Sequence, residues 1–354
     1  MELKIEKEHV ERLKNWFDGK NENPYKLDIF LTQACNLKCV FCGCHNVSYR
    51  NIKQELDRKS FLKIIDEAAS LGIKKIGILG GEPFVKMDIM LDVMQAIKDR
   101  DMCGSLTTNG TLFTEDSIKK IVKMNWDMMR FSIDGKKETH DSLRGQKGTY
   151  DKAVSNLKLF KIYKKELNRQ NPTIEFNFVL TNENYKDILH VLKLAEETDC
   201  RKVYILPLIE LTDSCSKIKI KKMNNQIMKY LKDALTIAEK YDIESNINEI
   251  IKSSVVENSN KLDKIKKKEK SLYCLQPWYG LAIHSNGNVV PCANFEDTFG
   301  ENIRGKSLNK IWYGKFFNKM RNDMKKGTLS EFCSRCCMPQ QMENEILKNR
   351  LKNG

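Results

Sequence analysis

From residue 26 onward, short apolar runs alternate with longer segments of helical period. Residues 26–32 read as a strand, and Leu62, Ile65 and Ala69 then share one face of a helix that Gly72 stops. A second strand, 75–79, runs into Gly80-Gly81-Glu82-Pro83, and Asp88 opens a helix aligning Met90, Met94 and Ile97. Strand 103–107 leads to Thr108-Asn109-Gly110. Thr114 is placed to cap the next helix, with Glu115 and Asp116 in its first turn, where acidic groups suit the positive end of the helix dipole. Strand 127–133 is followed by a loop, 134–148, and a helix from about Tyr150 to Leu167. Strand 173–180, helix 186–197 and strand 202–206 complete six units, and Met223, Ile227, Leu231, Ala234 and Ala238 mark a closing helix.

Six β/α units require a parallel sheet covered by helices. Periodicity does not separate an open sheet from a partial barrel. A parallel sheet covered on both faces should have nearly continuous apolar strands. Here Leu27, Ile29 and Leu31 alternate with Asp28 and Thr32, and Met129, Phe131 and Ile133 with Arg130 and Ser132. Ile174, Phe176 and Phe178 likewise alternate with Glu175 and Asn177. Burying such polar groups unpaired is costly, so one face is expected to line a wet, functional cavity. An exposed sheet face is the alternative.

The flanks read differently. Residues 1–25 form an amphipathic helix (Val10, Leu13, Trp16, Phe17) ended by Gly19, then a linker with Pro24, too short for a separate peptide-binding domain. Residues 26–241 are the core, and 242–272 turn polar and lysine-rich, a partly helical bridge. Residues 273–340 make a small strand-and-turn domain, with 280–284 and 288–291 paired about Ser285-Asn286-Gly287, and 341–354 form a charged tail.

With 354 residues there is room for a large domain and a small one. Hydrophobic residues at 41% supply a core, and charged residues at 31% a soluble surface. The N-terminal stretch lacks the apolar segment of a signal peptide, and no run approaches a membrane span. The net charge of +14 raises the question of nucleic acid. The excess, however, is lysine spread over helix faces and gathered at 261–270, without an aromatic-rich RNA-binding pattern. A solvated lysine face is expected, with neither nucleic acid nor membrane as partner, and acidic substrates stay open. Twelve cysteines without a secretory signal point to metal binding in a reducing, cytoplasmic compartment.

Three of those cysteines stand close together. Cys35, Cys39 and Cys42 form C-x3-C-x2-C just after the first strand, so one loop presents three thiolates. A four-iron cubane normally takes four thiolates, and three leave one iron open, as catalytic metal sites keep an open position. Paired C-x2-C knuckles would be more usual for zinc. The spacing, with Phe41 before the last cysteine, resembles the motif of the radical S-adenosylmethionine (SAM) enzymes. The resemblance implies a partial (β/α)6 barrel core, with SAM bound through its amino and carboxylate groups at the open iron and cleaved reductively to a 5′-deoxyadenosyl radical.

Further motifs carry the resemblance. Gly80-Gly81-Glu82-Pro83 matches the family's GGEP segment, which meets the SAM amino group; glycines also suit a place where backbone approaches a ligand closely. Phe131-Ser132-Ile133-Asp134-Gly135 and His140-Asp141-Ser142-Leu143-Arg144-Gly145 resemble the fourth-strand region of SPASM-type members. By that analogy Ser132 meets the SAM ribose and Arg144 its carboxylate, which a guanidinium can grip bidentately. A loop-fixing salt bridge is the alternative for Arg144. Asn109 is a weaker cofactor candidate, and Glu175 and Asn177 are candidates for substrate hydroxyls or amines.

A second set, Cys274, Cys292, Cys333 and Cys336, suffices for one closed four-iron cluster. It resembles the auxiliary-cluster extension called SPASM or its shorter relative, twitch, with Gly287–Cys292 and Ser307–Trp312 as typical segments. A full SPASM domain needs more cysteines than the remaining Cys337, so one auxiliary cluster is expected, as in the aminocyclitol dehydrogenase of butirosin biosynthesis. A zinc knuckle is the alternative, and spacing leaves open whether Cys336 or Cys337 is the fourth ligand. Of the others, Cys44, Cys103 and Cys200 read as small hydrophobes, and Cys215 as a candidate hydrogen-atom donor. In sum the resemblance implies two 4Fe-4S clusters, SAM and a reductant such as flavodoxin or ferredoxin. It implies hydrogen abstraction from a polar substrate, oxidised with the auxiliary cluster as electron acceptor. Alternatives are maturation of a ribosomally made peptide, a radical epimerase and, from another class, a non-catalytic iron–sulfur or zinc binding module.

Overall fold

The computed structural model describes residues 7–42, 54–210, 213–257, 274–294, 300–328, 333, 336 and 338–353. Its strands, in chain order, are β1 (Lys26–Phe30), β2 (Lys75–Leu79), β3 (Cys103–Thr108), β4 (Met128–Ser132) and β5 (Thr173–Leu180). They continue as β6 (Cys200–Pro207), β7 (Glu244–Ser245), β8 (Gly280–Ile283), β9 (Asn288–Val290) and β10 (Glu301–Asn302). Helices fill the intervals between the first seven, so the α/β class with a largely parallel sheet is the one expected. The chain gathers into two compact units, one within 36–42 and 107–257, the other within 7–35, 54–106 and 274–353.

In the second of these units the strands run β10-β9-β8-β1-β2-β3. β1 pairs parallel with both β2 and β8, while β8, β9 and β10 form an antiparallel meander. The C-terminal hairpin thus extends the same sheet as the first strands. Helix Lys7–Phe17 lays Leu13 into a core with Trp278, Tyr279, Met324 and Leu347. The chain after 340 forms part of a helix, Met338–Asn353, that packs through Leu347. Each fully buried side chain of this size contributes about 1.5–3 kcal/mol.

In the other unit β4-β5-β6-β7 are all parallel. Phe113, Phe131 and Phe160 meet edge-on or tilted beneath β4, with ring centroids 5.3–5.9 Å apart, a geometry the aromatic quadrupole favours. The helix Glu115–Lys123 starts in a capping box between Thr114 and Ser117, as its sequence suggests.

Three local expectations are corrected. The segment 134–148 is not a plain loop: Lys137–Arg144 is helical and ends on Gly145, whose φ of 72° is the left-handed cap conformation. Helix Arg58–Ser70 buries Phe61, Ile64, Ile65 and Ala68 rather than the Leu62–Ile65–Ala69 face, because its larger apolar arc lies one position earlier. Cys103, the first residue of β3, is exposed, whereas Cys200 is buried. Within 242–272, residues Ile247–Glu257 are helical, and the lysine run 261–270 lies outside the described residues.

Candidate functional site

The C-x3-C-x2-C loop follows β1, and each of its ends is tied to its own unit. On the β1 side, Gly81 N–H donates to Thr32 O and Glu82 N–H to Ala34 O, both at 2.8 Å. A Cβ on Gly81 would lie 2.2 Å from Ala34 O, and one on Gly80 2.4 Å from Thr32 O. The two glycines therefore admit a close approach of the chain to itself, beside Cys35. Glu82 is buried, its carboxylate accepting from Phe84 N–H to cap the turn Pro83–Lys86. Nearby, Glu55 accepts from the Thr32 hydroxyl (2.9 Å), Gln33 N–H (2.6 Å) and Lys86 Nζ (2.6 Å). Burial works to raise the Glu55 carboxyl, but the Lys86, Gln33 and Thr32 contacts outweigh it and hold it below the usual range.

On the other side, Asn36 sits inside the motif. Its Nδ2 donates to Thr111 Oγ1 (2.9 Å) and its Oδ1 accepts from Asn109 Nδ2 (2.8 Å), while Asn109 Oδ1 accepts from the Thr111 amide and hydroxyl. Asn109 thus holds the cysteine loop directly. The His140–Gly145 motif supplies a further clamp. Val40 N–H donates to Leu143 O (2.9 Å), and Gly145 packs so closely on Lys38 O that a Cβ would come within 2.4 Å. Arg144 reaches Cys39 Sγ with Nη1 (3.7 Å), lies 5.3 Å from the Phe41 ring centroid and forms an ion pair with Asp134 through Nη2. Its Nε is buried and has no partner among the described residues.

Asp134 is itself fixed on every side. Its Oδ1 accepts from Val179 N–H (2.8 Å), its carbonyl from Asn184 Nδ2 (2.9 Å), and its N–H donates to His140 Nδ1 (3.1 Å). Burial, then the Arg144 charge, drives His140 down to about 3, so the ring is a neutral acceptor at that nitrogen. Asp141 caps the following helix through Gly148, Thr149 and Tyr150. For Arg144, burial opposes the charge, but Asp134 and then Cys39 more than offset it, so the guanidinium stays protonated. Burial pushes the Cys39 thiol up; Arg144 draws it back, and Cys42 and Asp134 add to the rise. Cys215 is fully buried in helix Asp213–Ile218, its thiol donating to Phe41 O at 3.6 Å. Cys44 lies outside the described residues.

The polar face of β4–β7 is layered. Arg130, Glu175, Lys202 and Glu244 stand in register across four strands, with Arg130–Glu175 paired at 2.8 Å and Lys202–Glu244 at 2.9 Å. Glu175 is therefore committed to a cross-strand ion pair. One step along lies the half-exposed row Ser132, Asn177 and Tyr204. Tyr204 escaped the sequence reading, although the Lys202–Tyr204–Leu206 alternation signals it. Asn36, Glu55, Lys86, Asp134 and Asn184 escaped it too, because each acts through partners distant in sequence.

In the C-terminal set, Cys274 Sγ accepts from Gln276 N–H and Asn344 Nδ2, each at 3.4 Å. Burial pushes Cys274 and Cys292 up, and Cys292 is raised further by Cys274, Cys333 and Cys336, so the four thiols stand within electrostatic reach of one another. Cys336 N–H donates to Cys333 O, closing the knuckle turn. Cys337 lies outside the described residues. Among the described residues no three Cys, His, Asp or Glu side chains crowd tightly enough for a single bound ion. A cubane needs its ligands more widely spaced, and hydrogen bonds to ligand sulfur are one of the features that tune it. Both cysteine sets fit the groups the motifs imply: donors aimed at sulfur at Cys39 and Cys274, and an orphaned guanidinium N–H beside the first set.

The radical SAM superfamily model matches residues 29–195, and an iron–sulfur cluster-binding domain, SPASM, matches 274–337. The chain carries a radical SAM domain followed by a SPASM domain. It is 28% identical over 181 residues to an Fe-coproporphyrin III synthase of Methanosarcina barkeri, covering 51% of this chain and 43% of that one, less than half the relative's length. It is 24% identical over 313 residues to a PqqA peptide cyclase of Rhizobium meliloti, covering 86% and 77%. Its fold is similar to that of Streptococcus suis SuiB bound to precursor peptide SuiA, with a TM-score of 0.64 and 21% identity over 89% of this chain and 70% of that one. When bound, a four-iron cluster with one iron free of protein ligands supplies a docking point for SAM and an electron. Among the described residues no helix is long and apolar enough to cross a membrane.

Proposed function

We propose that this protein modifies a precursor peptide by radical SAM chemistry. The observation that carries the proposal is the likeness, over 86% of the chain and both cysteine-bearing domains, to a peptide cyclase. Cys35, Cys39 and Cys42 hold the SAM-cleaving cluster, and Cys274, Cys292, Cys333 and Cys336 an auxiliary one. The buried, unpaired Nε of Arg144 suits the SAM carboxylate, and Gly80, Gly81, Glu82 and Pro83 shape the neighbouring backbone. Ser132, Asn177 and Tyr204 offer neutral hydrogen-bonding groups on the polar face of β4–β7, chemistry that suits an amide or hydroxyl of a peptide side chain. A flavodoxin or ferredoxin would supply reducing equivalents, and the cluster that Cys274, Cys292, Cys333 and Cys336 would hold could accept an electron from the substrate. The oxidation of a small polar substrate, which the sequence first suggests, becomes the second reading.

The test uses reconstituted enzyme with SAM, a chemical reductant and every short peptide that sequencing of the flanking genes finds. Formation of 5′-deoxyadenosine together with a mass change in one peptide supports the proposal. Formation of 5′-deoxyadenosine with every such peptide unchanged, and consumption of a small polar metabolite instead, replaces it with the second reading.

A further inference from the structure

We propose that Arg144 and Asp134 form a charge-balanced strut that positions the cluster loop and sets the electrostatic environment of Cys39. This is a positioning role separate from any contact Arg144 makes with SAM. The protein engages both terminal nitrogens of the guanidinium: Nη1 reaches Cys39 Sγ at 3.7 Å and Nη2 pairs with Asp134. Nε is buried and has no partner among the described residues. The residues on either side of Arg144 grip the same loop, Leu143 O accepting from Val40 N–H and Gly145 abutting Lys38 O. The contact is therefore built by the backbone as well as by one long side chain.

Both charges are nearly fully buried, with Arg144 at 7% and Asp134 at 0% exposure. Removing one member of such a pair leaves the other uncompensated, and charge and hydrogen bonding beside a ligand sulfur are levers on an iron–sulfur potential. A positive charge favours the reduced, more negative cluster. Arg144 alone would raise the potential, and Asp134 trims that effect. The two residues should thus act with opposite sign.

The experiment is EPR-monitored potentiometry of the N-terminal cluster in reconstituted, SAM-free holoenzyme carrying Arg144→Gln, Arg144→Lys or Asp134→Asn. Iron and sulfide counts and thermal unfolding of each variant are measured alongside. Arg144→Gln should shift the midpoint to more negative potential and Asp134→Asn to more positive potential, with Arg144→Lys between Arg144→Gln and the parent. Selective loss of the N-terminal cluster from Arg144→Gln, with the C-terminal one retained, also supports the strut; Arg144→Lys and Asp134→Asn then carry the comparison of potentials. Unchanged midpoints in fully loaded variants, or shifts in the same direction for Gln and Asn, overturn the proposal. If Arg144 serves SAM alone, only the spectral change on adding SAM is lost, and the SAM-free potentials match the parent.

Discussion

The two cysteine regions use one ligand type in different surroundings. Near Cys35, Cys39 and Cys42 each unit places charge: the Arg144–Asp134 pair at Cys39 in one, and Glu55 with Lys86 beside the Thr32–Gln33 backbone that leads to Cys35 in the other. Around Cys274 the protein places neutral amides, from Gln276 and Asn344, against an apolar core of Trp278, Met324 and Leu347. If Cys35, Cys39 and Cys42 hold the open cluster proposed above, charged supports suit them, since ion pairs and charge-assisted hydrogen bonds fix geometry. A closed site can be supported by packing. The difference teaches that thiolate count alone does not assign a role; the groups that touch the sulfurs do.

The largest effect should separate the regions outright. Replacing Cys35, Cys39 and Cys42 together with alanine is expected to reduce 5′-deoxyadenosine formation to background. Cys292→Ala, if soluble, is expected to keep SAM cleavage without product. Release of 5′-deoxyadenosine from the triple variant at the parent rate would break the comparison. Folding of Cys292→Ala needs checking by thermal unfolding, because a cluster in a small domain contributes to its stability.

Next comes Gly81→Ala. Its added methyl would meet Ala34 O at 2.2 Å, a backbone atom that cannot rotate away. Overpacking of this kind costs about 1–3 kcal/mol, and here the strain falls beside Cys35. A lowered unfolding midpoint with iron lost from the N-terminal set and kept at the C-terminal set is expected. Equal loss from both would show that the supports are not local.

Acid provides a third comparison, because a neutral buried histidine stands in each unit. His9 is stacked on Tyr25 and edge-on to Tyr279; burial, then Lys75, Lys26 and Arg12, lower it to about 3. His140 is also lowered to about 3. Both folded values lie below the unfolded value of 6.5, so their contribution to stability is present above 6.5 and lost as pH falls toward 3. In that window each histidine steepens the loss by about 1.4 kcal/mol per pH unit. Denaturant midpoints of the apo-protein should fall between about pH 7 and about pH 5. His9→Phe and His140→Asn should each flatten the fall, and a pH-independent midpoint would contradict both assignments.

Much of this was legible in the sequence, for a physical reason. Strands such as 173–180 announce themselves because alternation is a local property, and the cysteine motif is local too. The GGEP glycines were visible, but not that they make room for Thr32 and Ala34. Asn109 was visible as a polar residue after a strand; its partner Asn36 lies 73 residues earlier, inside the cysteine motif. Glu175 looked like a substrate group because nothing local says that Arg130, in register on the next strand, already holds it. Contacts between distant residues convert a candidate ligand into a support, and a single sequence does not display them.

The smallest expected effect concerns that last pair and tests whether the polar face of β4–β7 is layered. Arg130 is about one-third exposed and Glu175 nearly buried, so their ion pair sits between the surface and interior limits. Partly exposed pairs contribute about 0.2–1 kcal/mol, and Glu175→Gln retains a hydrogen-bond acceptor for Arg130. A stability loss of about 1 kcal/mol or less is expected, with SAM cleavage and product formation close to the parent. Asn177→Leu, one row along, should show the reverse: an unchanged unfolding midpoint, unchanged substrate-free SAM cleavage and a several-fold lower yield of modified peptide. The two variants lie on one strand and one face, so a general disturbance of the sheet would affect both alike. If Glu175→Gln instead abolishes product while leaving stability untouched, the carboxylate meets substrate and the ion pair is not the floor of the site.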